Sequence, residues 1–145
     1  MTALLDGFPL LSELSAAERE ALEACLETRE LGVGSVLFHG GEEADALYFV
    51  VEGAVAIRAD GQSVSELGAG EVLGALSIVT VGRRECEASG ATPTRLLTLT
   101  REGYARLRED LPALALRLQE AILRNFSTLV RGVLGDSRTA SSSVS

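Results

Sequence analysis

The chain has 145 residues, a hydrophobic fraction of 46% and a formal net charge of −8. These values predict a single domain with a packed core and exclude a disordered chain. The acidic balance argues against non-specific nucleic-acid binding, which rests on basic phosphate contacts.

MTALLDGFPLL carries no basic leader and does not read as a signal peptide. No apolar run approaches the roughly 20 residues of a membrane span. A soluble, cytoplasmic protein is expected, with no direct membrane insertion. Pro9, Leu10 and Leu11 are expected in a turn of helix packed on a sheet. Ser15 followed by Glu18 forms a capping box, which predicts the start of a longer helix. Apolar residues then recur at helical spacing through Leu22, Cys25 and Leu26. The N-terminal helical segment is expected over 1–28.

Residues 29–100 are strand-rich. VLFH, ALYFVVEG, AVAIRAD, SVSELG, CEASG and TRLLTLT are short apolar or alternating runs parted by glycine and acidic turns. ALYFVV is nearly continuous, as a doubly buried strand would be. In AVAIRAD, Val55 and Ile57 should face one way, and Ala54, Ala56 and Arg58 the other. Asp60-Gly61 is the signature of a two-residue hairpin turn. The fold class expected is α+β: an eight-stranded β jelly roll flanked by N-terminal helices and two C-terminal helices.

Thr100 is placed to cap a helix over REGYARLRED, and Pro112 to open a longer one. The C-terminal helices are expected over 101–134, followed by a polar, disordered tail over 135–145. Leu114, Leu118, Ile122, Asn125, Leu129 and Val133 form a stripe at 3-4 spacing. It reads either as packing on the chain's own barrel or as a homodimer seam with Asn125 setting register.

Cys25 and Cys86 are far apart and read as two buried, reduced apolar residues. His39 is the single histidine, so no metal site is expected. It reads as a polar residue on a sheet face.

GSVLFHGGEEADALYFVVEGAVAI, residues 34–57, resembles the cyclic-nucleotide-binding domain of bacterial catabolite activators, kinase regulatory subunits and nucleotide-gated channels. Gly34, Gly41, Gly53, Asp45, Leu47 and Tyr48 fall where that family has them. The resemblance implies that GEVLGALSIVTVGRRE, within 70–87, is its phosphate-binding cassette, which in the family reads FGELALL followed by PRSA or PRAA. Gly70 and Gly74 are kept. By this resemblance Gly74, Ala75, Leu76, Ser77 and Arg84 form the phosphate cradle, with Arg83 and Glu85 as modulators. Leu76 and Ser77 would act through backbone N–H groups, although Ser77 equally reads as a helix cap.

Two departures stand out. Ala75 occupies the position of the glutamate that binds the ribose 2′-hydroxyl, and Glu85 that of a small residue. Arg84 therefore has two readings: the phosphate clamp, or a surface arginine paired to Glu85 or Glu87. Glu71 does not match the ribose glutamate, and Asp45 reads as a turn or cap residue.

The function expected is a cyclic-nucleotide-binding-like sensor with weak or altered ligand specificity, not an enzyme. Its ligand would be cAMP, cGMP or another small anion, with no other cofactor and no nucleic-acid partner, and it would pair as a homodimer through the last helix. The alternative is a non-binding jelly-roll module serving dimerisation or scaffolding, at the regulatory end of a larger transporter or enzyme.

Overall fold

The structure is a computed structural model that describes residues 4–78 and 82–135, without the side chains of residues 76 and 126–135. A 3-10 turn at Pro9–Leu11 leads to helix α1, Ala16–Glu23. The capping box forms: Ser15 Oγ accepts from Glu18 N–H at 3.1 Å, and Glu18 Oε1 accepts from Ser15 N–H at 2.8 Å. Two orphan donors of the first turn are thereby satisfied.

Eight strands follow: β1 Glu27–Leu31, β2 Val36–Phe38, β3 Ala46–Glu52, β4 Ala54–Ala59, β5 Gln62–Gly68, β6 Val72–Leu73, β7 Glu87–Gly90 and β8 Thr94–Thr100. They form two four-stranded sheets of order β1-β8-β3-β6 and β2-β7-β4-β5, with antiparallel ladders. A short 3-10 helix, Ala75–Ile78, lies between β6 and β7. Helices α2, Arg101–Asp110, and α3, Pro112–Gly135, close the domain. This is the α+β jelly roll that the sequence predicts. The proposed tail lies, from residue 136 on, outside the described residues.

The inner strands of the first sheet, β3 and β8, are buried on both faces, which explains their unbroken apolar runs. Leu47 and Phe49 of β3, with Leu97 and Leu99 of β8, pack on the helices beside Leu5, Leu11, Leu22, Leu107 and Leu118. Tyr48, Val50 and Leu96 point the other way and meet Val55, Ile57 and Ala88 between the sheets. Val55 and Ile57 are buried while Arg58 is exposed, as the alternation requires. Asp60 and Gly61 both have positive φ, 53° and 77°, as a primed hairpin turn demands. Gly53 is fixed by contact as well as by φ: a Cβ there would lie 2.3 Å from Pro93 O.

Two expectations need correction. Cys25 is exposed, because α1 ends at Glu23 and the following turn carries Cys25 off the apolar face. The stripe on α3 is also divided. Leu114, Leu118 and Ile122 are buried in the chain's own core, so they are not available to a second copy. Asn125 is exposed, and the side chains of Leu129 and Val133 lie outside the described residues. The outward face of α3 instead shows Leu116 and Leu123, 55% and 44% exposed.

Candidate functional site

The cassette begins with a tight turn at glycine. Gly70 has φ 92°, its N–H donates to Val50 O at 2.9 Å, and Glu71 Oε2 accepts from Gly68 N–H at 2.7 Å. Glu71 thus braces the turn. Leu73 then pairs with Tyr48 on β3. Gly74, at φ 71°, redirects the chain into the 3-10 helix. A Cβ on Gly74 would lie 2.5 Å from Arg84 Nη1 and 2.7 Å from Ala46 O. Glycine here serves close approach as much as the turn.

Ser77 is buried in this helix. Its N–H donates to Gly74 O at 2.9 Å, so the donors of the first turn without an intrahelical acceptor are those of Ala75 and Leu76. The Ser77 hydroxyl accepts from Arg84 Nη1 at 3.1 Å. Ala75 is partly buried against the helical core and offers no polar side-chain atom.

The second half of the site is the 82–86 segment, strapped to the β2–β3 loop. Arg84 N–H donates to Glu42 O at 2.7 Å, Gly41 N–H to Arg84 O at 2.8 Å, and Ala44 N–H to Gly82 O at 2.9 Å. This ladder fixes the backbone of Arg84, and the side chain turns inward until the residue is 3% exposed. Its Nη2 donates to Ala46 O at 3.0 Å. Its guanidinium carbon lies 4.2 Å from the centre of the Phe38 ring and 5.7 Å from that of Tyr48. Among the described residues Nε is buried without a hydrogen-bond partner.

The surface reading of Arg84, paired to Glu85 or Glu87, is therefore corrected. Glu85 is exposed, Glu87 lies 3.2 Å from His39 Nδ1, and no ion pair among the described residues involves Arg84. Burial pushes the Arg84 pKa down, partly offset by the nearby Tyr48, Asp45, Cys86 and Glu42. A guanidinium nevertheless stays charged in proteins. The result is a buried cation whose charge no carboxylate contact matches, held by two neutral acceptors and two aromatic rings. Arg83 stays outside, donating to Gly41 O at 2.9 Å.

Gly74, Ala75, Ser77 and Arg84 are thus brought together. Phe38, Tyr48 and the Ala46 carbonyl join them without having been foreseen as site residues. His39 is exposed, but it lies just past the end of β2 and not on a sheet face, and its carbonyl accepts from Glu42 N–H in the turn that follows. The charge of Asp45 acts on the nearby Arg84, and its carbonyl accepts from Arg101 N–H at 2.9 Å.

The sequence matches the family model described as "Cyclic nucleotide-binding domain" over residues 28–110. The chain belongs to the cyclic nucleotide-binding domain family. It is 29% identical to a cyclic nucleotide-gated potassium channel of Rhizobium etli over 120 residues, covering 83% of this chain and 34% of the channel. It is 31% identical to a cyclic AMP receptor protein of Thermus thermophilus, covering 83% of this chain and 58% of that protein. The solved N-terminal domain of a transcriptional regulator from Streptomyces coelicolor superposes with a TM-score of 0.77 at 28% identity, covering 88% of this chain and 94% of that one. The chain spans about a third or less of the length of the channel and of several other curated relatives.

Proposed function

We propose that this domain is a sensor module that binds a small phosphate-bearing ligand, a cyclic nucleotide by the names of its relatives, with Arg84 as the phosphate clamp. The observation that carries the reading is the buried Arg84 guanidinium, which among the described residues has no carboxylate partner and leaves Nε without a hydrogen bond. Burying a charge is costly unless it is paired. An incoming phosphate supplies the missing charge and accepts from a fork suited to it. Gly74 keeps the approach to that fork open, and Ser77 lies beside it.

Ligand preference is altered on the sugar side. Ala75 gives the ribose 2′-hydroxyl no acceptor, so that hydroxyl adds little to affinity. The module acts by binding and not by catalysis, in keeping with relatives named as channels and receptors.

Titration calorimetry with cAMP and cGMP tests this. Weak binding that Arg84→Ala abolishes is expected. No heat at millimolar ligand, or unchanged binding in Arg84→Ala, overturns the clamp.

A second copy of the chain is the proposed partner, through the outward face of α3. Leu116 and Leu123 are seven residues apart and exposed, and Val130 continues the spacing in the sequence.

A further inference from the structure

Arg101 is the first residue of α2. A cation there faces the positive end of the helix dipole, which is locally unfavourable. Its contacts explain the placement. Nη2 donates to Ser77 O at 2.7 Å and to Ala44 O at 2.9 Å, and Nε donates to Ser77 O at 3.2 Å. Nη1 lies 3.7 Å from Glu43 Oε1.

These acceptors belong to the same two pieces of chain that Arg84 engages. Ser77 is held at its hydroxyl by Arg84 and at its carbonyl by Arg101. Ala44 is two residues before Ala46, whose carbonyl accepts from Arg84, and it sits in the ladder that carries the Arg84 backbone. Arg101 thus grips both halves of the site from the side of α2. Its own N–H donates to Asp45 O at 2.9 Å, and the start of α2 is capped by Thr100, whose Oγ1 accepts from Gly103 N–H at 2.9 Å.

We propose that Arg101 is a positioning residue that joins the anion site to α2. The inference rests on the reading of Arg84 as an anion clamp. An anion at Arg84 competes with Ser77 Oγ and Ala46 O for the guanidinium. Any shift of Ser77 or of the 44–46 segment is then carried through Arg101 into α2, which packs on α3 through the core shared by Tyr104, Leu107, Leu114 and Leu118.

The test is hydrogen exchange on the full chain, with and without saturating cAMP, and with inorganic pyrophosphate as a second probe. In the native protein the probe should slow exchange at residues 71–78, and at residues 102–110 by about fivefold or more, the lower end of ordinary coupling. In Arg101→Gln the slowing at 71–78 should remain and that at 102–110 should vanish. Arg101→Lys keeps the charge without the planar fork and should behave as Arg101→Gln does. Should Arg101→Gln lose its folded far-UV circular dichroism, Arg101→Lys decides by the same readout. Slowing at 102–110 that survives in either variant overturns the role of Arg101. So does a native protein in which only 71–78 responds, an outcome that leaves the anion site standing. If neither probe slows exchange anywhere in the native protein, the anion site falls and the coupling falls with it.

Discussion

Arg84 Nη1 donates to Ser77 Oγ at 3.1 Å across a gap that exists because residue 74 is glycine. The Cβ absent from Gly74 would stand 2.5 Å from that same nitrogen and 3.0 Å from that same hydroxyl. The cassette turn and the buried arginine are therefore one arrangement. Gly74→Ala should cost stability through its positive φ, about 1–3 kcal/mol, and should also displace Arg84 and abolish ligand binding. Gly70→Ala carries a similar backbone penalty at φ 92°, but its Cβ would meet only Gly7 O at 3.3 Å. It should lower the melting temperature and spare binding. Melting curves paired with calorimetry separate the two; equal effects on binding would break the link between Gly74 and Arg84.

Stability and binding should move in opposite directions at Arg84. A buried cation without a matching anion is a burden on the empty domain, and replacing such a group with an apolar one of similar length is often neutral or stabilising. Arg84→Met should therefore melt at or above the native temperature while losing ligand affinity. The guanidinium contacts with the Phe38 and Tyr48 rings would be lost, and Ser77 Oγ and Ala46 O would each lose one donor. A large destabilisation would instead mean that these charge-assisted hydrogen bonds and ring contacts outweigh the cost of burying the charge.

Ala75→Glu restores a carboxylate at the position that the family resemblance assigns to ribose recognition. A hydrogen bond to a charged acceptor contributes roughly 1.5–3 kcal/mol. cAMP should bind the variant about tenfold or more tightly, while 2′-deoxy-cAMP should show no gain. Equal gains for both nucleotides would mean that residue 75 does not face the sugar.

How much of this could be read in advance depended on burial. β3 and β8 were plain because both faces of these inner strands are covered, so the pattern is an unbroken apolar run. β1 was missed in part because four of its five residues are exposed and polar, and its pairing with β8 leaves no periodic trace. β6 is two residues long and offers no period at all. In the site, Gly74, Ser77 and Arg84 were grouped through a family resemblance, whereas the inward turn of Arg84 onto Phe38 depends on contacts between strands distant in sequence. Arg101 left one legible sign, a cation at the unfavourable end of a helix.

Alkaline pH should weaken the fold through Cys86. Burial, with a smaller push from the Glu85 charge, raises its pKa above the ordinary thiol value. The folded state then holds the proton at a pH where the unfolded chain releases it. The stabilisation is complete below the unfolded thiol pKa and is lost as pH rises through the folded one. Cys86→Ala should flatten this decline in denaturant midpoints measured across the alkaline range, at some cost in packing. A decline that persists unchanged would assign it to Tyr48 and Tyr104, whose pKa values burial also raises.

The two faces of α3 should respond differently to substitution. Leu118 is fully buried among Leu11, Leu14 and Leu107 in the helical core, so Leu118→Ala should cost about 2–5 kcal/mol and lower the denaturant midpoint at any protein concentration. Leu116 and Leu123 point outward, and Leu116→Ser with Leu123→Ser should leave the midpoint of the monomer nearly unchanged, as surface substitutions usually do. If a second copy covers this face, the double variant should sediment as a monomer at concentrations where the native chain sediments as a dimer. The native melting temperature should then rise with protein concentration and that of the variant should not, since association stabilises by mass action. A native chain that sediments as a monomer up to high micromolar concentration would remove the dimer and leave the anion site untouched, because Arg84, Ser77 and Gly74 all come from one chain.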